Sequence, residues 1–211
     1  MSVDGLTIAV PRGALFAESL DLLDRLGIDT GPVRSGDRRL IFPELGLITM
    51  RPSDVPAYVE HGAADIGVTG KDVLLEQADR EVYELVDLGF GTCRMVVAAR
   101  DGDDPLGEPL RRRGSVRIAT KYPRIASDYF TRTGRHADIV EVKGSVEIAP
   151  LTGLADAIVD LTATGTTLRE NQLVEHEEIG VMTARLIANP VAHKLKAAAI
   201  DDLVARIRAL G

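Results

Sequence analysis

The stretch 156–168 constrains the fold of this chain more than any other segment. An apolar run, Ala157–Val159, leads into the acid Asp160, and a hydroxyl-rich turn around Gly165 follows. This order predicts a strand, a tight turn and the first turns of a helix over Leu168–Leu173. Backbone N–H groups point outward at such a turn, the helix dipole favours an anion, and threonine hydroxyls add donors. The segment therefore predicts a phosphate-binding loop.

The turn and the acids beside it supply the candidate ligands. Those of the turn are Thr162, Ala163, Thr164, Gly165, Thr166 and Thr167. Asp160 or Asp156 suits sugar hydroxyls, because a carboxylate accepts two hydrogen bonds at once. A Walker loop does not explain the turn, since Thr166 stands where that motif has lysine. An ordinary helix-capping loop has a similar composition, and spacing alone leaves both interpretations open.

Charge and composition narrow the class of protein. The chain has 211 residues, enough for one large domain or two small ones, and its net charge of −7 argues against bulk nucleic-acid binding. Its one cysteine, Cys93, excludes an internal disulfide framework and is expected to be a small core residue. We see no secretory signal, and no apolar run approaches the roughly 20 residues of a membrane span, so we expect a cytoplasmic protein.

Strand and helix patterns alternate along the chain, which predicts an α/β fold with mainly parallel sheets. Near the end, the pattern predicts one strand over Val181–Ala188 and one long amphipathic helix over Pro190–Leu210. The order of elements is compatible with two lobes, lobe I over 1–93 plus 180–211 and lobe II over 94–179. Lobe II would then carry the threonine-rich loop.

Four turns of ligand-binding type follow predicted strands, where α/β proteins place their ligands. They are Arg12-Gly13, Thr69-Gly70-Lys71, Thr120-Lys121-Tyr122 and Thr162–Thr167. Together they favour a phosphate-rich site, although each alone is compatible with a structural turn. The histidines show no metal-ligand spacing, and Arg111–Arg113 is interpreted as a solvated helix face. No nucleophile with a neighbouring base stands out, so no catalytic residue is assigned.

Several longer segments carry a resemblance to a known family. They are residues 51–74, 91–97, 119–130, 144–168 and 185–190. Over nearly the whole chain the sequence resembles the ATP phosphoribosyltransferase family in its short form, and the 144–168 block is similar to its phosphoribosyl-pyrophosphate loop nearly position for position. The resemblance implies two α/β lobes with a cleft between them, like type II periplasmic binding proteins.

The resemblance also implies a glycosyltransferase of histidine biosynthesis. Such an enzyme joins C1 of 5-phosphoribosyl 1-pyrophosphate to N1 of ATP and releases pyrophosphate. Mg²⁺ would arrive with the substrate pyrophosphate, without a metal site made by the protein. The implied phosphoribosyl-pyrophosphate ligands are Asp156, Asp160 and the six residues 162–167. The implied ligands of ATP or pyrophosphate are Arg12, Gly13, Arg51, Asp65, Lys121, Tyr122 and Glu147.

The implied partners are a regulatory subunit related to histidyl-tRNA synthetase and a second copy of this chain, with no nucleic acid and no membrane. The chain departs from the family pattern at Ala14, where a second basic residue is usual, and at Glu141, which receives no role. It also ends after one long helix, where long-form members carry a further domain. The alternatives are a non-catalytic anion- or solute-binding module and a phosphoribosyltransferase for a free base.

Overall fold

A computed structural model describes residues 5–35, 38–102 and 104–210. The chain divides into two compact units. The terminal unit contains the described residues up to Gly91 and from Thr183 onward, and the central unit is Thr92–Met182. Each unit has its own sheet and its own apolar core. Among the described residues no helix is long and apolar enough to cross a membrane.

The two sheets use short strands that are joined in most places by helices. In chain order the strands are β1 (Ile8–Pro11), β2 (Ile41–Phe42), β3 (Leu47–Met50), β4 (Ile66–Gly70), β5 (Tyr83–Asp87), β6 (Cys93–Arg100), β7 (Val116–Thr120), β8 (Ala137–Glu141), β9 (Ala157–Thr162), β10 (Leu173–Met182) and β11 (Ala184–Ala188). The helices are α1 (Phe16–Arg25), α2 (Gly31–Arg34), α3 (Val55–Glu60), α4 (Lys71–Glu76), α5 (Gly107–Arg113), α6 (Pro123–Arg132), α7 (Thr166–Glu170), α8 (Pro190–Leu195) and α9 (Ala197–Leu210). Short 3₁₀ turns lie at Pro52–Asp54 and Val146–Ile148.

The sheet of the terminal unit has the order β2-β3-β1-β4-β11-β5. Strand β1 is parallel to β3 and to β4, with Pro11 opposite Met50 and Ile8 opposite Ile66. The pairs β2–β3, β4–β11 and β11–β5 are antiparallel. The carboxyl ends of β1, β3 and β4 therefore lie along one edge of this sheet.

The sheet of the central unit has the order β10-β6-β9-β7-β8. Strand β7 is parallel to both β8 and β9, whereas β6 is antiparallel to both β9 and β10. The carboxyl ends of β7, β8 and β9 share one edge. The expectation of mainly parallel sheets is wrong for both units, because each sheet also contains antiparallel strands, such as β6 and β11, that the alternation of strands and helices along the sequence does not reveal.

Apolar side chains cover both faces of the central sheet. Along β6, Met95 and Val97 belong to the cluster on one face, and Val96 belongs to the cluster on the other. Ile158 of β9 lies in the second cluster, together with Leu168 of α7. Side chains alternate along a strand, so the polar residues that follow Ile158 at every second position project toward the same face.

Three predicted elements have different bounds in the structure. The helix expected over Leu168–Leu173 is Thr166–Glu170, and Leu173 begins strand β10. The strand expected over Val181–Ala188 is interrupted at Thr183, where the chain passes from the central sheet to the terminal one. The long helix expected over Pro190–Leu210 is broken at Lys196, whose φ of −120° and ψ of 31° are not helical.

Candidate functional site

The threonine–glycine loop, residues 162–167, connects β9 to α7. Gly165 adopts a φ of 71°, a left-handed conformation that glycine takes without the steric cost of a Cβ. Its N–H donates to Thr162 Oγ1 at 2.9 Å, and Thr164 Oγ1 lies 2.9 Å from Thr166 Oγ1. The loop is therefore held in a tight turn by its own hydroxyls, with Thr164 and Thr166 exposed to solvent.

Backbone amides, rather than a strong helix dipole, make this loop suited to an anion. Helix α7 has five residues, which is too short to develop a large macrodipole. In its first turn, Arg169 N–H donates to the carbonyl of Gly165 at 3.1 Å and Thr166 N–H donates to Thr164 Oγ1 at 3.4 Å. The N–H groups of Thr167 and Leu168 lack a carbonyl four residues earlier in helical geometry and can point toward an anion. The loop thus presents amide and hydroxyl donors at the end of a buried strand, as the sequence predicts.

Asp160 and Lys121 meet where β9 and β7 end. Asp160 is 8% exposed, its Oδ1 accepts from the N–H of Leu161 at 2.8 Å, and Lys121 Nζ lies 3.2 Å from the same oxygen. The neighbouring strand end is fixed by Thr120, whose hydroxyl donates to the carbonyl of Val159 at 2.6 Å. The parallel pairing of β7 with β9 thus brings a carboxylate and a cation together beside the threonine–glycine loop.

Glu147 and Tyr122 follow strands that end at the same edge. Glu147 lies in the 3₁₀ turn after β8, next to Val146, which packs in one cluster with Leu168 of α7. This packing places the turn of Glu147 on the loop's face of the sheet. Tyr122 is different, because its side chain is 8% exposed and belongs to the core on the opposite face. A direct ligand role for the Tyr122 ring is therefore not favoured.

Asp156 does not join the loop. It precedes β9, whereas the loop follows β9, so the two are separated by six residues of extended chain, or roughly 20 Å. Its carboxylate pairs with Arg113 and accepts from the N–H of Arg117 at 2.7 Å. We therefore correct the sequence interpretation of Asp156 as a ribose ligand, since strand direction puts it at the other edge of the sheet.

A residue that the sequence interpretation missed lies against the loop. Arg169 Nη1 donates to the carbonyl of Thr164 at 3.1 Å, and Nη2 donates to Thr166 Oγ1 at 3.2 Å. Thr166 and Arg169 are three residues apart in α7, a spacing that puts side chains on one face of a helix. That spacing was the signal in the sequence from which this contact could have been predicted.

The terminal unit has a second edge with basic residues. Arg12 follows β1, and its Nε donates to Thr49 Oγ1 at 2.9 Å while Nη2 donates to the carbonyl of Arg39 at 2.8 Å. Arg51 follows β3 and is exposed. Both arginines line a cavity of about 620 Å³ whose other walls include Ile48, Met50 and Tyr58. An apolar cavity with two cations at its margin suits a flat ring that carries phosphates.

Two other predicted residues of this unit differ in position. Gly13 follows Arg12 with a φ of 97°, and a side chain there would meet open space, so the turn needs glycine for its backbone conformation. Asp65 precedes β4 and thus lies at the edge opposite Arg12 and Arg51. It accepts from the N–H of Thr7 at 2.7 Å and pairs with Lys196 at 2.8 Å. The predicted ligand role of Asp65 is corrected to a structural one for this reason.

Within the ranges that the structure describes, no group of three or more His, Cys, Asp or Glu side chains is arranged to hold a metal ion. Asp160 and Glu147 lie on the loop's face of the central sheet, and so does Glu175 of β10, whose carboxylate is already paired with Arg94. A magnesium ion whose other ligands are phosphate oxygens and water needs one or two carboxylates at most. The donor set is thus compatible with a metal that is bound mainly by a ligand's own phosphates.

Sequence comparisons place these features in a family. The family model described as HisG, ATP phosphoribosyltransferase, matches residues 51–209. A protein from Rubrobacter xylanophilus named ATP phosphoribosyltransferase is 52% identical over 206 residues, covering 96% of this chain and 95% of its own. One of the same name from Geobacillus is 47% identical over 208 residues, covering 96% and 97%.

Solved structures give the same result at the level of the fold. The ATP phosphoribosyl transferase (HisG:HisZ) complex from Thermotoga maritima contains a chain that matches with a TM-score of 0.80 and 33% identity over 97% of both chains. A structure of Tv2483 bound to L-arginine matches with a TM-score of 0.62 and 16% identity over 97% of this chain and 85% of that one, which shows the fold alone. The predicted class of two α/β lobes is confirmed.

Proposed function

Because the chain belongs to the ATP phosphoribosyltransferase family, we propose that it transfers the phosphoribosyl group of 5-phosphoribosyl 1-pyrophosphate to N1 of ATP, the first step of histidine biosynthesis. The observation that supports this most directly is the threonine–glycine loop, with Asp160 and Lys121 beside it at one strand edge. A loop of neutral donors binds a phosphate, and an adjacent carboxylate binds hydroxyls.

The central unit would bind phosphoribosyl pyrophosphate through three kinds of group. The residues 162–167 would donate backbone N–H and hydroxyl hydrogen bonds to the 5-phosphate. Asp160 would accept hydrogen bonds from the ribose hydroxyls. Its buried position and its hydrogen bond from Leu161 N–H orient the carboxylate. Lys121 would lie near the pyrophosphate oxygens, and Glu147 is a further candidate for ribose or base contact.

The reaction requires no covalent nucleophile. The N1 lone pair of the adenine forms a bond to C1 of the ribose while the bond from C1 to the pyrophosphate oxygen breaks, and pyrophosphate leaves with that electron pair. The transition state has oxocarbenium character at C1. Catalysis by such a site therefore consists of holding two polyanions in line and of stabilising the charge that develops on the leaving group.

The terminal unit would bind phosphates through Arg12 and Arg51. Both arginines line the apolar cavity that reaches Tyr58, so we propose that they contact oxygens of ATP or pyrophosphate. An arginine offers five N–H donors in a plane and matches phosphate geometry better than a lysine does. The residue after Gly13 is Ala14, so this turn supplies Arg12 but no second cation. The hydroxyl of Thr49 accepts from Arg12 and helps to hold it in place.

Magnesium is proposed to arrive on the pyrophosphate of the substrate. When bound, the ion neutralises charge on the pyrophosphate oxygens and so makes pyrophosphate a better leaving group. The ion would be held mainly by pyrophosphate oxygens and water, without a metal site made by the protein, and Asp160 would keep its role toward the ribose hydroxyls. Lys121 follows β7 at the same strand edge and would share in compensating the pyrophosphate charge, in addition to pairing with Asp160 at 3.2 Å.

We further propose that the chain acts in the cytoplasm and in a hetero-oligomer. The Thermotoga maritima structure is a HisG:HisZ complex, which supports a regulatory subunit of that kind as a partner. A second copy of the chain is also proposed. We assign the phosphoribosyl-pyrophosphate site to lobe II, residues 94–179, and the basic edge of Arg12 and Arg51 to lobe I, residues 1–93 with 180–211.

The decisive experiment measures pyrophosphate release by the purified chain with Mg²⁺, ATP and phosphoribosyl pyrophosphate, omitting each substrate in turn, alone and with a HisZ-like partner. We expect release only when both substrates are present, a product that contains both, and stimulation by the partner. Release without ATP would indicate hydrolysis instead of transfer. Binding without turnover, even with the partner, would favour a non-catalytic module.

A further inference from the structure

We infer that Arg169 is a positioning residue of the phosphate site, an inference that rests on the proposed function. Its guanidinium bridges the carbonyl of Thr164 and the hydroxyl of Thr166, at 3.1 Å and 3.2 Å, on either side of Gly165. A planar guanidinium can satisfy two acceptors at once with fixed geometry, which an ammonium group cannot do. Arg169 therefore connects the residues before and after Gly165.

The bridge also fixes the direction in which the Thr166 hydroxyl donates. A guanidinium donates only, so Thr166 Oγ1 must accept from Arg169, and its single proton points away from the guanidinium. That proton is then available to Thr164 or to a bound phosphate oxygen. Without Arg169, Thr166 Oγ1 would still lie 2.9 Å from Thr164 Oγ1, but its proton would no longer be directed by a donor-only partner, which weakens its hydrogen bond to the phosphate.

Glycine at position 165 makes this arrangement possible. A Cβ there would lie 2.9 Å from Arg169 Nη1 and 3.3 Å from Glu175 Oε1, so the guanidinium and this carboxylate both pack close to the loop backbone. Glu175 would repel a phosphate if its charge were uncompensated. Arg94 pairs with it through Nη2 and Oε1 at 2.8 Å, and this bond raises the pKa of the Arg94 guanidinium. Because Arg94 already neutralises Glu175, the positive charge of Arg169 at the loop is not cancelled by that carboxylate.

The test uses two variants of Arg169 and one matched control. Arg169→Met keeps most of the aliphatic stem and removes all donors, whereas Arg169→Lys keeps a cation without the fork. Arg132→Met is the control, because Arg132 is exposed in the last turn of α6. We expect Arg169→Met to raise the KM for phosphoribosyl pyrophosphate about tenfold, from the loss of charge-assisted hydrogen bonds, with Arg169→Lys intermediate.

A role in positioning predicts a selective effect. The KM for ATP and the kcat should stay within about twofold of those of the native chain, because Arg169 contacts the loop that is proposed to bind the 5-phosphate. The thermal midpoint of unfolding should be unchanged by either substitution. An unchanged KM for phosphoribosyl pyrophosphate in Arg169→Met would overturn the inference. So would an equal rise in both KM values with a lowered midpoint, or a lysine variant as impaired as the methionine one.

A binding measurement separates this inference from the proposed function. Ribose 5-phosphate, titrated calorimetrically into the native chain and the three variants, probes the 5-phosphate site without any turnover. Weaker binding to Arg169→Met but not to Arg132→Met supports the positioning role even if the native chain releases no pyrophosphate, a result that would overturn only the proposed reaction. Equal binding to all four proteins would overturn the positioning role even if the native chain is active.

Discussion

Thr166 carries the most direct prediction for a single side chain. Its hydroxyl is exposed at the loop and lies within hydrogen-bond distance of both Thr164 and Arg169. Thr166→Val keeps the shape and removes the donor, so we expect the KM for phosphoribosyl pyrophosphate to rise about tenfold with little change in folding stability. Steady-state kinetics measure this, with Thr131→Val on the exposed surface of α6 as the control. Equal KM values in the two variants would contradict the loop assignment.

Two aspartates at opposite ends of β9 should respond differently to the same substitution. Asp160→Asn is expected to raise the KM for phosphoribosyl pyrophosphate, because the ribose hydroxyls lose a charged acceptor. Asp156→Asn is expected to leave that KM unchanged and to lower the free energy of unfolding by about 1–3 kcal/mol, because Arg113 and the N–H of Arg117 lose their anionic partner. Denaturant unfolding and kinetics on both variants check this. A raised KM in Asp156→Asn would restore Asp156 to the ligand set.

The difference between these aspartates shows what local sequence can and cannot predict. The turn over residues 162–167 was predictable because turn chemistry is local: threonines and a glycine after an apolar run favour a tight turn before a helix, whereas their role as phosphate ligands stays a prediction. Asp156 and Asp160 are both acids next to one apolar run, and their separation depends on which end of the strand meets the site. Tyr122 also follows a strand, but the alternation of faces turns its ring into the core.

Strand β10 and helix α6 are joined by a polar contact that sequence patterns did not indicate. Glu177 accepts from both terminal nitrogens of Arg135 at 2.8 Å, and Tyr129 donates to it at 2.7 Å. Arg135 also lies over the ring of Phe130, with its Cζ 4.8 Å from the ring centroid. The run of acids in β10 has no clear apolar alternation, so its pairing with β6 was missed from the sequence.

This contact predicts how acid affects the central unit. The hydrogen bond from Arg135 holds the pKa of Glu177 below its ordinary value of 4.5, with burial opposing the shift. A carboxylate with a lowered pKa stabilises the fold above its unfolded pKa and loses that contribution as the pH falls through its folded pKa. Glu177→Gln should therefore be less stable than the native chain at pH 6, and the difference should shrink as the pH falls below about 4.5.

Thermal unfolding of both proteins between pH 6 and pH 3 measures that difference. His136→Gln is a suitable control, because His136 is exposed, follows Arg135 in the chain and pairs with Asp138 instead of Glu177. Other carboxylates with lowered pKa values, such as Asp24 and Asp87, lose stability in both proteins alike and cancel in the comparison. A difference that stays constant, or that grows toward acid, would show that the pair does not stabilise the contact between α6 and β10.

The exact residues at which the chain passes between units and between its last two helices were harder to predict than the elements themselves. The pattern of apolar residues continues through Thr183, yet the chain leaves one sheet at Met182 and enters the other at Ala184. The break at Lys196 between α8 and α9 is similar, because Ala and Leu residues on both sides favour one continuous helix. In both places tertiary packing decides against the local preference. Long-range pairing, which sequence periodicity does not record, therefore determines the architecture.

For the protein as a whole, the proposed function predicts that substrate and metal act together on stability. A ligand at a hundred times its Kd stabilises the folded state by about 2.7 kcal/mol, which raises the midpoint of a chain of this size by several degrees. We expect phosphoribosyl pyrophosphate to give this shift with Mg²⁺ and a clearly smaller one after chelation, because the pyrophosphate charge beside the loop then has Lys121 but no metal ion to compensate it. Ribose 5-phosphate lacks the pyrophosphate, so its smaller shift should not depend on Mg²⁺.

Differential scanning fluorimetry with both ligands, with and without a chelator, distinguishes these cases. If phosphoribosyl pyrophosphate stabilises the chain equally without Mg²⁺, the metal does not enter with the pyrophosphate; if both ligands lose their effect on chelation, the ion contributes to the loop itself.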